Sequence, residues 1–200
     1  IDGASNTGPT SGWTLGSPTT STTVMPNPAD NIVRRTRYDS EGRTVESRMP
    51  KSTGSDAGTT LTTYYIAGTG SGDTRCDNHA EWAGLVCRTG PAATPSSGPT
   101  MPGSYISSYD YLLAPKVAIE TSGSGSRTTT TAYLSDGRTD TVSVTTSAVT
   151  GSAAVATTKM EYYGSGLPKT VNTLDAQGIV VKTILTDYDR RSMMFSYVDR

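Results

Sequence analysis

An all-β fold of tandem antiparallel hairpins, forming part of a curved β-sheet shell, is predicted by three observations. Ser and Thr make up about 30% of the 200 residues, alongside 21 Gly and 11 Pro. Eleven tyrosines stand against one Phe and two Trp. The chain also matches itself at two ungapped offsets. Thr and Tyr favour extended backbone, whereas Gly, Pro and Ser mark turns, so helices should be scarce. Poverty in Leu, Ile and Phe points toward disorder, but the tyrosines and the repeated Thr-rich runs weigh against it. Sheet faces covered by Thr, Val and Tyr give thin cores that tend to need neighbours.

The first offset, of 150 residues, lays Gly16, Pro18, Thr20, Thr23, Thr36, Tyr38 and Asp39 over Gly166, Pro168, Thr170, Thr173, Thr186, Tyr188 and Asp189, with Trp13 over Tyr163. The second, of 95, lays Thr36, Tyr38, Ser40, Gly42, Arg43 and Thr44 over Thr131, Tyr133, Ser135, Gly137, Arg138 and Thr139. One unit emerges. An extended run ends in Tyr, a four-residue turn follows, and Gly-Arg starts the return strand. Asp39 is placed to accept a hydrogen bond from the amide two residues on, and Gly42 and Gly137 permit the positive φ that closes such a hairpin. Each Tyr is expected to cover a sheet face with its hydroxyl at the wet edge, where the Arg that follows it stacks on the ring.

This unit places strands, in chain order, near residues 32–38, 43–48, 59–67, 127–133, 138–146, 153–163, 167–173, 179–188 and 193–198. In the run Ile179 to Tyr188 apolar residues fall on both faces, so both sides should be partly covered. Four stretches follow: a Ser/Thr/Gly/Pro-rich partial repeat over 1–30, hairpins over 31–67, a Cys-containing insertion with a Pro-rich loop over 68–104, and hairpins over 105–200. The chain begins with Ile1 rather than Met, which reads as a slice of something longer or a processed product.

The segments Tyr38-Asp39-Ser40-Glu41-Gly42-Arg43, Tyr133-Leu134-Ser135-Asp136-Gly137-Arg138 and Tyr188-Asp189-Arg190-Arg191 resemble the Tyr-Asp repeats of the Rhs/YD-repeat family. The run from Glu81 to Ala92 is similar to a stretch of actinobacterial members. This resemblance covers most of 31–199. It implies hairpins wound into a hollow β-shell, secreted or displayed at the cell surface, that encloses a C-terminal effector domain, often a toxin. Tyr133 is followed by Leu134 rather than Asp, and Tyr188-Asp189 lacks the later Gly. No Asp-Pro pair marks a self-cleaving core end. The slice is therefore expected to be wall, its partners being other repeats and an effector domain of the same polypeptide.

Cys76 and Cys87 close a ring short enough for a disulfide, which an exported protein would form. Free thiols, and a zinc site recruiting His79 with Asp77 or Glu81, are the alternatives, although the spacing matches no usual zinc finger or knuckle. His79, the sole histidine, would have to serve any Ser-His-Asp mechanism, yet no nucleophile-elbow sequence accompanies it. Asp187 with Asp189, and Asp136 with Asp140, are carboxylate pairs of the kind glycosidases use, but turn capping accounts for Asp189 without chemistry. Gly68 to Gly72 and Gly123 to Ser126 lack the residues that follow in phosphate cradles and read as loops. Arg34, Arg35, Arg37 and Arg43 form the densest positive patch; with Tyr38 nearby it suits an anion or a polysaccharide acid, but a solvated sheet edge that resists pairing is the better reading.

The expectation is thus a structural segment without catalytic residues, metal or cofactor. The competing reading is a module that binds cell-wall glycans through exposed Tyr and Trp, with Trp13 and Trp82 foremost. A balance of 17 basic to 18 acidic residues and a pI near 5.8 argues against nucleic acid. No apolar run approaches the roughly 18 to 20 residues of a spanning helix.

Overall fold

The computed structural model describes residues 19–95, 97, 100–148 and 155–199. Thirteen antiparallel strands carry it, and its only helical elements among the described residues are short 3-10 turns. The chain divides into two compact units, 1–105 and 106–200. The first holds β1 (Thr20–Thr23), β2 (Ile32–Tyr38), β3 (Thr44–Arg48), β4 (Thr59–Tyr64), β5 (Val86–Pro91) and the start of β6 (Gly103–Tyr109). The second holds the end of β6 and β7 (Pro115–Ser122), β8 (Gly125–Tyr133), β9 (Thr139–Ser147), β10 (Thr157–Tyr162), β11 (Pro168–Leu174), β12 (Val180–Tyr188) and β13 (Met194–Asp199). Within each unit every strand pairs with its neighbours in the chain.

The strands expected from the sequence appear within a few residues of their forecast limits, and β2 coincides with its forecast. The rest of the sheet comes from β1, β5, β6 and β7, of which β7 alone carries alternating aliphatic residues, Val117 and Ile119. Ladder hydrogen bonds order the Thr- and Ser-rich runs β1 and β6 because strands on one or both sides present a register to join. The stretch read as an insertion therefore contains a sheet strand, β5, paired to β4 through Thr60↔Pro91, Leu61↔Gly90, Thr62↔Thr89 and Thr63↔Arg88. Of the 150-residue match, Trp13, Gly16 and Pro18 lie outside the described residues.

The arginine patch is not at an edge. β2 pairs with β1 through Thr20↔Arg35 and Ser21↔Arg34, and with β3 through Arg35↔Arg48 and Arg37↔Glu46. Arg37 donates to Glu46 at 3.1 Å, and Arg48 pairs with the same carboxylate, which is almost buried. Two guanidiniums on one acid offset its burial.

The fully enclosed apolar side chains among the described residues are Tyr65, Cys76 and Cys87, all in the first unit. Elsewhere the faces are covered by half-buried Thr, Val and Tyr. In the last hairpin of the second unit, Ile179, Val180, Val181, Met193, Met194, Phe195 and Tyr197 are exposed. The expectation that both faces of 179–188 are covered therefore fails at its start and holds only farther along, where Ile184 and Leu185 are half-buried.

Candidate functional site

Six turns among the described residues close with the same two backbone bonds: the amide of the first residue donates to the carbonyl four residues on, and the fourth residue donates back to the first. They begin at Asp39, Asp110, Leu134, Tyr163, Asp175 and Asp189. The fourth position has positive φ in all six: Gly42 (79°), Leu113 (61°), Gly137 (85°), Gly166 (89°), Gly178 (80°) and Ser192 (61°). Four of the six use glycine, which meets this geometry without steric cost. Leu113 and Ser192 carry it in the two turns that lack one.

Asp caps four of these turns identically. Its Oδ1 accepts from the amides two and four residues on: Glu41 and Arg43 for Asp39, Leu112 and Ala114 for Asp110, Gln177 and Ile179 for Asp175, and Arg191 and Met193 for Asp189. The turn of Leu134 substitutes Asp136, whose carboxylate accepts from the Arg138 amide and pairs with its guanidinium. Burial raises Asp39, but hydrogen bonds from the Arg43 amide and side chain outweigh it and hold the carboxyl below its ordinary value. Asp136 is lowered chiefly by the Arg138 side chain.

Tyr38, Tyr133 and Tyr188 stand in equivalent places. Each ends a strand, pairs with the first residue of the next (Thr44, Thr139 and Met194), and lies beside a one-residue bulge that leaves Val45, Asp140 and Phe195 unpaired. Tyr64 and Tyr162 belong to the same series, with Cys87 and Lys169 at their bulges.

The arginines do not stack on the tyrosines that precede them. The turn carries each one away from its own Tyr, toward the strand after the hairpin. Arg43 lies over Tyr64 at 4.4 Å and Arg138 over Tyr162 at 4.5 Å from guanidinium carbon to ring centroid. In both cases the guanidinium also reaches the positive-φ glycine of the following turn: a Cβ built on Gly84 would sit 3.4 Å from Arg43 Nη1, and one on Gly166 3.8 Å from Arg138 Nη1. The clasped tyrosine then donates backward, Tyr64 to the Thr44 carbonyl (2.9 Å) and Tyr162 to the Thr139 carbonyl (2.8 Å). Tyr133 likewise donates to the Pro115 carbonyl at 2.8 Å. Each contact ties one hairpin to the next. Burial pushes the Tyr64 phenol up.

The turn between β4 and β5 has the same closure with a loop placed inside it. Tyr65 donates to the Leu85 carbonyl (2.8 Å), Gly84 donates to the Tyr65 carbonyl (2.9 Å), and Gly84 has φ 89°. Between them, Cys76 in the 3-10 turn Thr74–Cys76 is disulfide-bonded to Cys87 at the bulge of β5. With both sulfurs so engaged, no thiolate is left for a metal. His79 stacks on Trp82 at 4.9 Å and 11°, and both rings meet the buried Tyr65 edge-on. One face of Trp82 is thus covered. Asp77 accepts from the Ser71 and Gly70 amides, and Arg75 pairs with Asp73 and lies over Tyr105 at 4.7 Å. Gly68 to Gly72 is part of this loop, while Gly123 makes the β7–β8 turn with φ 59°.

The candidate catalytic pairs are otherwise employed. Asp187 accepts from the Tyr163 hydroxyl at 2.6 Å, whereas Asp189 faces its own turn amides. Asp140 sits at the bulge and accepts from Thr141, while Asp136 is held by Arg138. Sequence reasoning missed the caps Asp110 and Asp175. A Tyr-Asp pair at 109–110 was available as a signal for the first, and Asp175-Ala176-Gln177-Gly178 repeats the Asp-x-x-Gly spacing of Asp39 to Gly42.

Among the described residues no helix is long and apolar enough to cross a membrane. No family model matches the chain, and no curated protein does. Among solved structures, a mutant Tc holotoxin pore of Photorhabdus luminescens is similar at 10% identity and a TM-score of 0.30, over 86% of this chain and 10% of that one. A complex titled TcdB2-TccC3-Cdc42 is similar at 12% identity and a TM-score of 0.25, over 84% and 11%. One titled TcdB2-TccC3-TEV follows at 10% and 0.23, over 84% and 11%. The chain thus spans about a tenth of the length of the chains it matches, and likenesses this distant assign neither family nor activity.

Proposed function

We propose that this chain is a wall segment: part of the β-shell of a large secreted or surface Rhs/YD-repeat protein, shielding or displaying an effector domain of the same polypeptide. The observation that carries the reading is the recurrence of one clasp, Arg43 with Tyr64 and Gly84, and Arg138 with Tyr162 and Gly166. A contact of one hairpin with the next, made with the same residue types in both units, extends a sheet by repetition rather than enclosing a core. The shortage of enclosed apolar residues and the exposed apolar side chains of the last hairpin fit a surface that other segments cover. The engaged state of His79, Asp136, Asp187 and Asp189 supports a structural role over a catalytic one.

The test uses the complete polypeptide that contains these residues. Limited proteolysis should leave a domain outside this segment protected, and Arg43→Ala with Arg138→Ala should make that domain cleavable. Equal cleavage with and without the clasps, while the sheet stays folded by far-UV circular dichroism, would remove the shielding role.

A further inference from the structure

The loop between Tyr65 and Gly84 can be separated from the sheet on geometric grounds. In the turn that starts at Asp39, two residues, Ser40 and Glu41, stand between the first and the positive-φ position. In the β4–β5 turn, residues 66–83 stand there, yet the two closing bonds, the positive-φ glycine and the bulge one strand residue later are unchanged. β4 and β5 therefore meet as the strands flanking the six turns described above meet. What the loop requires, the loop supplies: Ile66 donates to the Cys76 carbonyl (3.0 Å), His79 to Ile66 (2.9 Å) and Asn78 to Gly68 (2.7 Å).

Its covalent fastening to the sheet is the disulfide. Cys87 occupies the bulge position that other hairpins fill with Val45, Asp140, Lys169 and Phe195. A bulge residue contributes no ladder pair, so a side chain there is free to hold something other than the sheet. Here it holds the 3-10 turn of Cys76, while His79 and Trp82 of the loop pack on Tyr65 at the end of β4. Arg75 over Tyr105 is a further attachment of the loop.

We propose that residues 66–83 are a disulfide-latched module seated in a standard turn, so that reducing Cys76–Cys87 releases the module while the β4–β5 hairpin stays closed. In the step itself a dithiol gives up two electrons and two protons and becomes a cyclic disulfide. The Cys76–Cys87 bond breaks and both sulfurs become thiols. Both cysteines are fully buried, so the dithiol acts on a transiently opened loop, and reduction then keeps it open.

Amide hydrogen exchange on the 200-residue chain, with and without dithiothreitol, tests this. The amides of Ile66, Asn78 and His79 should exchange about a hundredfold faster after reduction, the loop-closure entropy of a ring of this size. The amides of Tyr65 and Gly84 should keep their protection. Loss of protection at Tyr65 and Gly84 would mean that the disulfide closes the hairpin; unchanged protection at Ile66, Asn78 and His79 would mean that it latches nothing. Either result overturns the proposal. As a second check, replacing 66–83 by Ser-Glu, together with Cys87→Ser, should retain the β-sheet far-UV spectrum and Tyr65 protection. Collapse of the sheet in that variant would equally overturn it.

Discussion

The guanidinium of Arg43 lies over the ring of Tyr64, a residue two strands farther along the chain, rather than over Tyr38, which ends the strand before its own turn. The arginine that closes one hairpin therefore grips the tyrosine that ends the next strand but one. The same holds for Arg138 and Tyr162. Arg43 also donates to Asp39 at 2.7 Å, so a single side chain joins the cap of its own turn to the neighbouring hairpin.

Arg43→Ala should cost about 1 to 2 kcal/mol, the sum of a partly desolvated cation–π contact and a charge-assisted hydrogen bond. Arg43→Lys should lose less, because the charge survives while the planar stacking does not. Urea unfolding of the two variants checks the order. Equal stability of the alanine variant and the parent would mean that the clasp holds nothing.

Tyr162→Phe removes the hydroxyl that donates to the Thr139 carbonyl but leaves the ring beneath Arg138. The expected loss is about 0.5 to 1.5 kcal/mol. A double-mutant cycle with Arg138→Ala should then show coupling well below that of Tyr162→Ala with Arg138→Ala. Indistinguishable coupling would show that the hydroxyl, not the ring face, is what the arginine senses.

Positions of positive φ predict substitutions of opposite sign. Gly137→Ala should destabilise by about 1 to 2 kcal/mol from backbone strain alone, and its Cβ would also fall 2.6 Å from Leu112 Cδ1. Ser192→Gly should instead stabilise by up to about 1 kcal/mol, since Ser192 already holds φ 61°. Thermal melts report both, and a stabilising Gly137→Ala would contradict the turn geometry.

Acid should loosen the turns and the β3–β4 loop. The Asp56 carboxyl is held far below its ordinary value, first by the Ser52 hydroxyl and then by the Thr53 amide, and it also accepts from the Gly58 amide. A carboxyl depressed in the folded chain contributes stability that is complete above its unfolded value. That stability drains away as the pH falls below about 4 toward the folded value. Urea midpoints should therefore decline below about pH 4 in the parent, and less steeply in Asp56→Asn, whose stability at neutral pH is already reduced. An unchanged slope in the variant would exclude Asp56 as a contributor.

How legible this was in the sequence depended on which side of the turn carried the information. Tyr38, Asp39, Gly42 and Arg43 were readable because cap, glycine and strand end are fixed by local backbone geometry. The arginine's partner was not, because which tyrosine it meets depends on the register of β3 against β4, which no local pattern encodes. β1, β5 and β6 escaped for a related reason: runs such as Gly103-Ser104-Tyr105 have no apolar alternation and become strands by joining an existing ladder. Leu113 concealed the Tyr109-Asp110 turn by taking a conformation ordinarily left to glycine.

Strands that bond to their neighbours in the chain give contacts of short sequence separation, since each ribbon needs only the ribbon beside it. Such a topology has no obligatory long-range nucleus. It can begin ordering at more than one turn and propagate outward, and a whole ribbon can be duplicated or deleted without rethreading the others. Length, for this architecture, is a freely evolving trait.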